Sequence, residues 1–175
     1  MYRRFVIVVA ALLTFVSPFV YADSQSSLSL NDSQVSLIRA NCTSAQATLN
    51  RIHTSDALAR VHLGQEYEIL STKLMAPMNS RVALNKLDGV AMTQTTVDFN
   101  NKLAEFRSLY QQYEQTTLKA IQMNCVDQPV SFYDTVALAR LHRAAVRDSV
   151  VSLAGLVQQY ATQVNTLEAS VEATP

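Results

Sequence analysis

Apolar residues recur every three or four positions over most of the chain, a spacing typical of α-helices that each bury one face. The cleanest repeat spans residues 132–167, where ten of eleven stripe positions are apolar. Because a sustained seven-residue repeat keeps one seam facing its partner, it predicts coiled-coil packing and a helix of about 38 residues. The stripe consists of Phe132, Val136, Ala139, Arg143, Val146, Val150, Leu153, Val157, Tyr160, Val164 and Leu167.

Two earlier stripes predict two further long helices. The first helix begins at Asn31, which can form a capping box with Gln34, and its apolar stripe extends over residues 38–78. The second stripe extends over residues 99–120, and its helix should end near Met123. Its cap is expected among three threonines: Thr93, Thr95 and Thr96.

Pro77 interrupts the first stripe, and because proline lacks a backbone N–H we expect the helix to kink or stop near Ala76. A short helix over residues 81–88 would then end at Gly89, in a left-handed conformation. Only three glycines and four prolines occur in 175 residues, too few for the many turns of a β-sandwich. The predicted fold is all-α: an elongated antiparallel up-down-up bundle of three long helices, with a short fourth helix after Pro77.

The chain begins like an exported protein. Arg3 and Arg4 precede an apolar run over residues 5–16, which is shorter than a membrane span, and small residues precede Asp23. We therefore assign residues 1–22 to a signal peptide, 23–32 to a flexible stub and 33–170 to the helical-bundle domain. The protein should be secreted or extracytoplasmic, at the cell surface, although a leader kept as an anchor is an alternative.

The two cysteines of an exported chain usually form a disulfide, so we predict a Cys42–Cys125 bond rather than two buried or intermolecular thiols. If the first helix effectively ends at Pro77, the antiparallel register places Cys42 opposite Cys125. A continuous first helix would instead require the loop after Met123 to extend towards Cys42.

Two stripe positions carry a charge where an apolar residue is expected: Asp56 in the first helix and Arg143 in the last. The same register brings Gln111 to this level. We predict a buried polar layer of Asp56, Gln111 and Arg143 that fixes the helix register. The alternative is that both charges reach solvent at the edge of a narrow core.

Composition and motifs argue against several function classes. Removing residues 1–22 lowers Lys plus Arg from 14 to 12 and leaves Asp plus Glu at 14, so neither nucleic acid nor anionic lipid is favoured as a partner. Hydrolase, phosphate-loop and zinc-protease motifs are absent from the sequence. We expect no catalytic residues, no cofactor and no metal, since His62 and Glu66 alone are too few ligands. Arg140, Arg143 and Arg147 share one helix face, which could bind an anion but is more often simply solvated.

Several segments carry a resemblance to a group of exported proteins. They are residues 39–42, 50–58 and 71–76, together with Cys125 and residues 128–134. The chain resembles exported two-cysteine helical proteins of candidate-phyla bacteria, Saccharibacteria in particular. This resemblance implies a bacterial leader and a location at or beyond the cell surface, and it implies no catalytic or binding residue.

These observations predict a non-enzymatic structural or protein-interaction module that binds a protein, a cell-surface polymer or another copy of itself. Such a module should expose apolar residues off its main stripes, and the candidates are Leu37, Leu109, Leu118, Ile121 and Leu138. The alternative is a holdase-like extracytoplasmic chaperone with a concave apolar face.

Overall fold

The computed structural model describes residues 30–173, and within them every regular element is helical. The all-α prediction is therefore confirmed. The elements are α1 (Asp32–Ala40), α2 (Cys42–Ile69), a π-helical stretch (Leu70–Met75), α3 (Ala76–Leu84), α4 (Val90–Gln122) and α5 (Pro129–Glu172). The predicted signal peptide and residues 23–29 of the predicted stub lie outside the described residues.

Helix α4 lies between α2 and α5. Asp56 of α2 contacts Tyr113 of α4, whereas Ser71, further along, contacts Asn100, so the two helices run in opposite directions. Helix α5 is 44 residues long, about 66 Å at 1.5 Å per residue, and packs along α4 more extensively than any other pair of elements. Both α2 and α5 therefore use α4 as their main packing partner.

The sequence predicts a kink or a stop near Ala76, and the structure shows that the first helix does not stop there. Its backbone hydrogen bonds instead widen to π spacing over Leu70–Met75, and the Ala76 N–H donates to the carbonyl of Ser71 five residues earlier. Because Pro77 has no N–H and its ring would crowd the carbonyl four residues before it, a wider turn just ahead of it keeps the chain helical. The segment then continues as α3 to Leu84.

The prediction that Gly89 has a left-handed conformation was wrong. The left-handed residue after α3 is Lys86, with φ of 57°, and the Leu87 N–H donates to the Val82 carbonyl at 3.0 Å. Gly89 has φ of −115°, and a Cβ there would lie 2.6 Å from Val82 Cγ1. Close packing of the chain on Val82, rather than backbone conformation, therefore requires glycine.

Helix α4 begins at Val90, earlier than the predicted threonine caps. Gly89 is the N-cap, and the Val90 N–H is 3.2 Å from Asp88 Oδ1. Thr95 and Thr96 lie inside the helix, where their hydroxyls donate to carbonyls four residues earlier. The predicted capping box at Asn31 and Gln34 is confirmed.

The buried side chains form two clusters at different levels of the bundle. The larger, here called the aromatic cluster, contains Tyr67, Met75, Val82, Met92, Phe99, Leu103, Phe106, Leu153 and Tyr160. The smaller, here called the disulfide cluster, contains Cys42, Ala120, Cys125 and Phe132. Cys42 and Cys125 form the predicted disulfide, with their Cα atoms 5.6 Å apart, which is consistent with an extracellular protein.

Candidate binding groove between α2 and α5

A charged bridge joins α2 to α5 above α4. Arg143 donates two hydrogen bonds to the Asp56 carboxylate, 2.7 Å from Nε to Oδ2 and 2.9 Å from Nη2 to Oδ1. The Tyr113 hydroxyl donates a third, 2.7 Å to Oδ2. The two charges of the predicted polar layer are thus brought together, but at the edge of the core, since the Arg143 side chain is 56% exposed.

Gln111 does not take part in this bridge, contrary to the prediction. Gln111 is exposed, whereas Tyr113 is buried and occupies the position that was predicted for Gln111. The reason is helical geometry: Tyr113 belongs to the apolar stripe of α4, whereas Gln111 lies about 100° round the helix from Tyr110 and faces away. The constant register used for the prediction was therefore two residues off at this level.

The bridge keeps the Asp56 carboxylate ionised. Burial opposes ionisation, but the hydrogen bonds from Arg143 and Tyr113 and the positive charge of Arg143 outweigh it and lower the Asp56 pKa below its ordinary value. Burial and the hydrogen bond to Asp56 raise the pKa of Tyr113 to about 12. The hydrogen bond to Asp56 also raises the Arg143 pKa. All three groups therefore hold fixed charge states near neutral pH.

An open groove extends to both sides of this bridge, because α2 and α5 pack on α4 more than on each other. The half that we call the basic half has a volume of about 430 Å³. Its apolar surface comes from all three helices and includes Leu63, Phe106, Val146 and Val150. Its charged lining consists of Arg60, Arg140, Arg143 and Arg147 against the single carboxylate of Asp56.

The other half, here called the apolar half, lies towards the disulfide cluster and has a volume of about 500 Å³. Its lining side chains are mainly aliphatic or aromatic and include Ile38, Ala45, Leu49, Ile52, Phe132 and Val136. Tyr113, Arg140 and Arg143 line both halves, so the bridge is the boundary between them.

The arginines of the basic half differ in their partners. Arg143 is bound to Asp56, and Arg147 contacts its neighbour Asp148 at 3.1 Å with both side chains largely exposed. Arg60 lies over the ring of Tyr110, 5.2 Å from its centroid. Among residues 30–173, neither Arg60 nor Arg140 has a carboxylate within ion-pair distance.

The sequence had indicated the arginine face of α5 but not Arg60. A signal was present, because Arg60 follows Asp56 by four residues and so lies on the same face of α2. The apolar stripe over residues 99–120 includes Tyr110 and Tyr113 and so predicts them as core residues, and both are buried. What the stripe did not reveal is that these tyrosines also line the groove.

The histidines do not assemble a metal site. His62 Nδ1 lies 3.2 Å from Glu66 Oε1 in an exposed pair, and His53 Nε2 lies 3.9 Å from Glu114 Oε1. Within the described part of the chain, no three His, Cys, Asp or Glu side chains come together as metal ligands. Over the same residues, no helix combines the length and apolarity needed to cross a membrane.

Comparison with known proteins yielded no family model, no curated protein and no solved structure that matches this chain. The resemblance to exported two-cysteine helical proteins therefore stays a prediction.

Proposed function

We propose that this protein is an exported, non-enzymatic helical bundle that acts as an extracellular protein-interaction module, with the groove between α2 and α5 as its binding surface. The observation that carries the proposal is the groove itself: two adjoining hollows on one side of α4, which share Arg140 and Arg143 and both have apolar walls. A surface that combines apolar area with unpaired arginines is typical of protein interfaces.

The charge states in the groove favour binding over catalysis. Of the residues that the structure describes, Asp56 is the only carboxylate that lines the basic half, and it is bound by Arg143 and Tyr113 with a lowered pKa. A general acid or base works best with a pKa near the ambient pH and with a free path to its substrate. Asp56 has neither property, so we assign it a structural role.

Export is supported by the disulfide and by the leader pattern of residues 1–22. Two of the apolar residues named as interface candidates, Leu37 and Leu138, are 62% and 46% exposed. The other three, Leu109, Leu118 and Ile121, are half-buried. The exposed pair alone is too small to identify a partner, so the groove is the stronger candidate surface.

A photo-crosslinking residue at Ala144 tests the proposal in cells that export the protein. Ala144 lines the basic half on α5, whereas Gln111 on α4 is exposed and lies outside both halves, so a crosslinker at Gln111 is the matched control. We expect one discrete crosslinked product from Ala144 and none from Gln111. Equal products from both positions, or none from Ala144, would contradict the proposal.

The size of the product separates the alternatives. A discrete product of twice the chain mass identifies self-association through the groove. A broad range of products that disappears when unfolded clients are depleted would favour the holdase-like chaperone over a module with one partner.

A further inference from the structure

We infer that the basic half of the groove is an anion-binding subsite, which takes a carboxylate, sulfate or phosphate group attached to an apolar body. The inference rests on the proposal that the groove is the binding surface and adds the chemistry that the surface recognises. Three observations converge on it: an unbalanced set of arginines, a buried hydroxyl without a partner, and an adjacent apolar wall.

The arginines of the basic half carry more positive charge than the carboxylates of residues 30–173 that pair with them, Asp56 and Asp148. Four arginines line the basic half with one carboxylate, and that carboxylate is already bound to Arg143. Guanidinium groups bind oxyanions well because their N–H donors match the geometry of carboxylates and phosphates. Arg60 and Arg140, on opposite walls of the groove, are therefore available for an anion between α2 and α5.

The Tyr110 hydroxyl is the second, independent observation. Tyr110 is only 3% exposed and lines the basic half, yet its hydroxyl has no hydrogen-bond partner among residues 30–173. A buried hydroxyl without a partner costs free energy, so most such groups in native proteins are paired. Burial raises the pKa of Tyr110, which keeps the hydroxyl protonated and able to donate. An oxyanion beside Arg60 would provide the missing acceptor.

The wall beside these donors is apolar. Leu63, Phe106 and Val150 line the same hollow, whose volume of about 430 Å³ lies within the range of small-molecule sites. An inorganic ion would leave that wall in contact with water. An anion that carries an alkyl or aryl group would cover it, which is why the inferred ligand is amphiphilic.

Hexyl phosphate is a suitable probe. Its binding to the full exported chain can be measured by titration calorimetry and by the NMR signals of labelled tyrosines. We expect it to bind the wild-type protein and to shift the Tyr110 signals, and hexyltrimethylammonium to do neither. The Arg60→Gln variant should bind hexyl phosphate about tenfold more weakly, because it loses a charged hydrogen bond to the anion. Arg51→Gln is the matched control, because Arg51 lies on the same helix, is exposed, and lines neither half.

Tyr110→Phe distinguishes a ligand-binding hydroxyl from an ordinary buried one. Since the hydroxyl has no partner in the part of the chain that the structure describes, its removal should leave the melting temperature unchanged or slightly higher. The same substitution should weaken hexyl phosphate binding about threefold to tenfold through loss of one hydrogen bond. A fall in melting temperature with unchanged binding would overturn the inference.

The blocked peptide acetyl-Leu-Glu-Leu-amide also combines an anionic group with apolar side chains, but it presents them on a peptide backbone. Tighter binding of the peptide identifies an acidic segment of a partner protein as the source, and tighter binding of hexyl phosphate identifies a free amphiphile. Equal binding of hexyl phosphate and hexyltrimethylammonium, or an equal loss in Arg60→Gln and Arg51→Gln, would overturn the anion subsite. Crosslinking at Ala144 would still stand in that case, so failure of the subsite is distinguishable from failure of the groove.

Discussion

The two ends of the bundle are held together in different ways. At the end with the π-helical stretch, nine buried residues form the aromatic cluster, in which the Tyr67 ring lies edge-on to Phe99 and Phe106 with both centroids 6.0 Å away. At the other end, the disulfide cluster has four buried residues, two of which are the bonded cysteines. One end is stabilised by packing and the other by a covalent bond.

This contrast shows how a narrow bundle can leave one side open. The Tyr160 hydroxyl on α5 donates to Asn79 of α3 at 2.8 Å, so the aromatic cluster draws the helices together at its end. Near the disulfide, α1 and the start of α2 have few fully buried apolar side chains, and the Gln46 amide donates to the Met123 carbonyl at 2.7 Å. The groove lies between these two regions, where neither the aromatic cluster nor the disulfide cluster packs α2 against α5.

Loss of the disulfide should have the largest effect on stability. The bond closes a loop of 83 residues, for which the chain-entropy model gives about 4.5 kcal/mol. We expect the double variant Cys42→Ala, Cys125→Ala to lose about 4 kcal/mol of unfolding free energy, measured by urea denaturation. A loss below about 1 kcal/mol would show that packing alone holds the disulfide end.

Cavity formation in the aromatic cluster should come next. Leu153 is fully buried, so Leu153→Ala should cost about 3 kcal/mol from lost burial and the cavity left behind. Leu141 lies on the same helix and is 67% exposed, which makes Leu141→Ala the matched control. Similar losses in the two variants would contradict the placement of the core.

The Asp56–Arg143 bridge should make a smaller, pH-dependent contribution. Asp56→Asn should lose about 1 kcal/mol at pH 7, since Arg143 is half-exposed and the charge pair is partly screened. The folded pKa of Asp56 is lowered, so its contribution is complete above the ordinary pKa of 3.8 and disappears as the pH falls through the folded pKa.

Urea denaturation at a series of pH values checks this sign. The difference between wild type and Asp56→Asn should be constant from pH 7 to pH 5 and should shrink below about pH 4. A difference that grows as the pH falls would mean that the carboxylate is destabilised by folding rather than held ionised.

The smallest effect is expected at Lys86, which has a left-handed backbone conformation. Glycine adopts this conformation without a Cβ clash, so Lys86→Gly should stabilise the protein by about 0.5 kcal/mol despite its greater unfolded-state entropy. Lys86→Ala keeps the Cβ and should bring no gain. Equal melting temperatures for the glycine and alanine variants would show that this turn is unstrained.

The sequence predicted the elements of this fold better than their junctions. Stripes spaced by three and four predicted α2, α4 and α5, and the Asn31 capping box predicted the start of α1. Pro77 predicted a kink or a stop but not the form that it takes, because a missing N–H disturbs a helix without dictating how the chain adapts, which here is by a π turn. The chain reversal at Lys86 could not be predicted, since lysine has no preference for left-handed φ.

The sequence likewise predicted only part of the candidate site. Asp56 and Arg143 could be predicted because each is a charge within an apolar stripe, and the helix register derived from the disulfide placed both at the same level of the bundle. Tyr113 and Tyr110 fit their stripe and so gave no signal of their second role. Whether a buried hydroxyl has a partner depends on atoms from three helices, and no spacing in one chain segment encodes that.

Hydrogen exchange of the oxidised and reduced protein tests most directly whether the two ends are held differently. We predict that reduction removes protection from α1 and from residues 42–55 of α2, while the π-helical stretch, α4 and α5 around the aromatic cluster keep theirs. A uniform loss of protection along the whole of α2, or no loss near Cys42, would contradict this account.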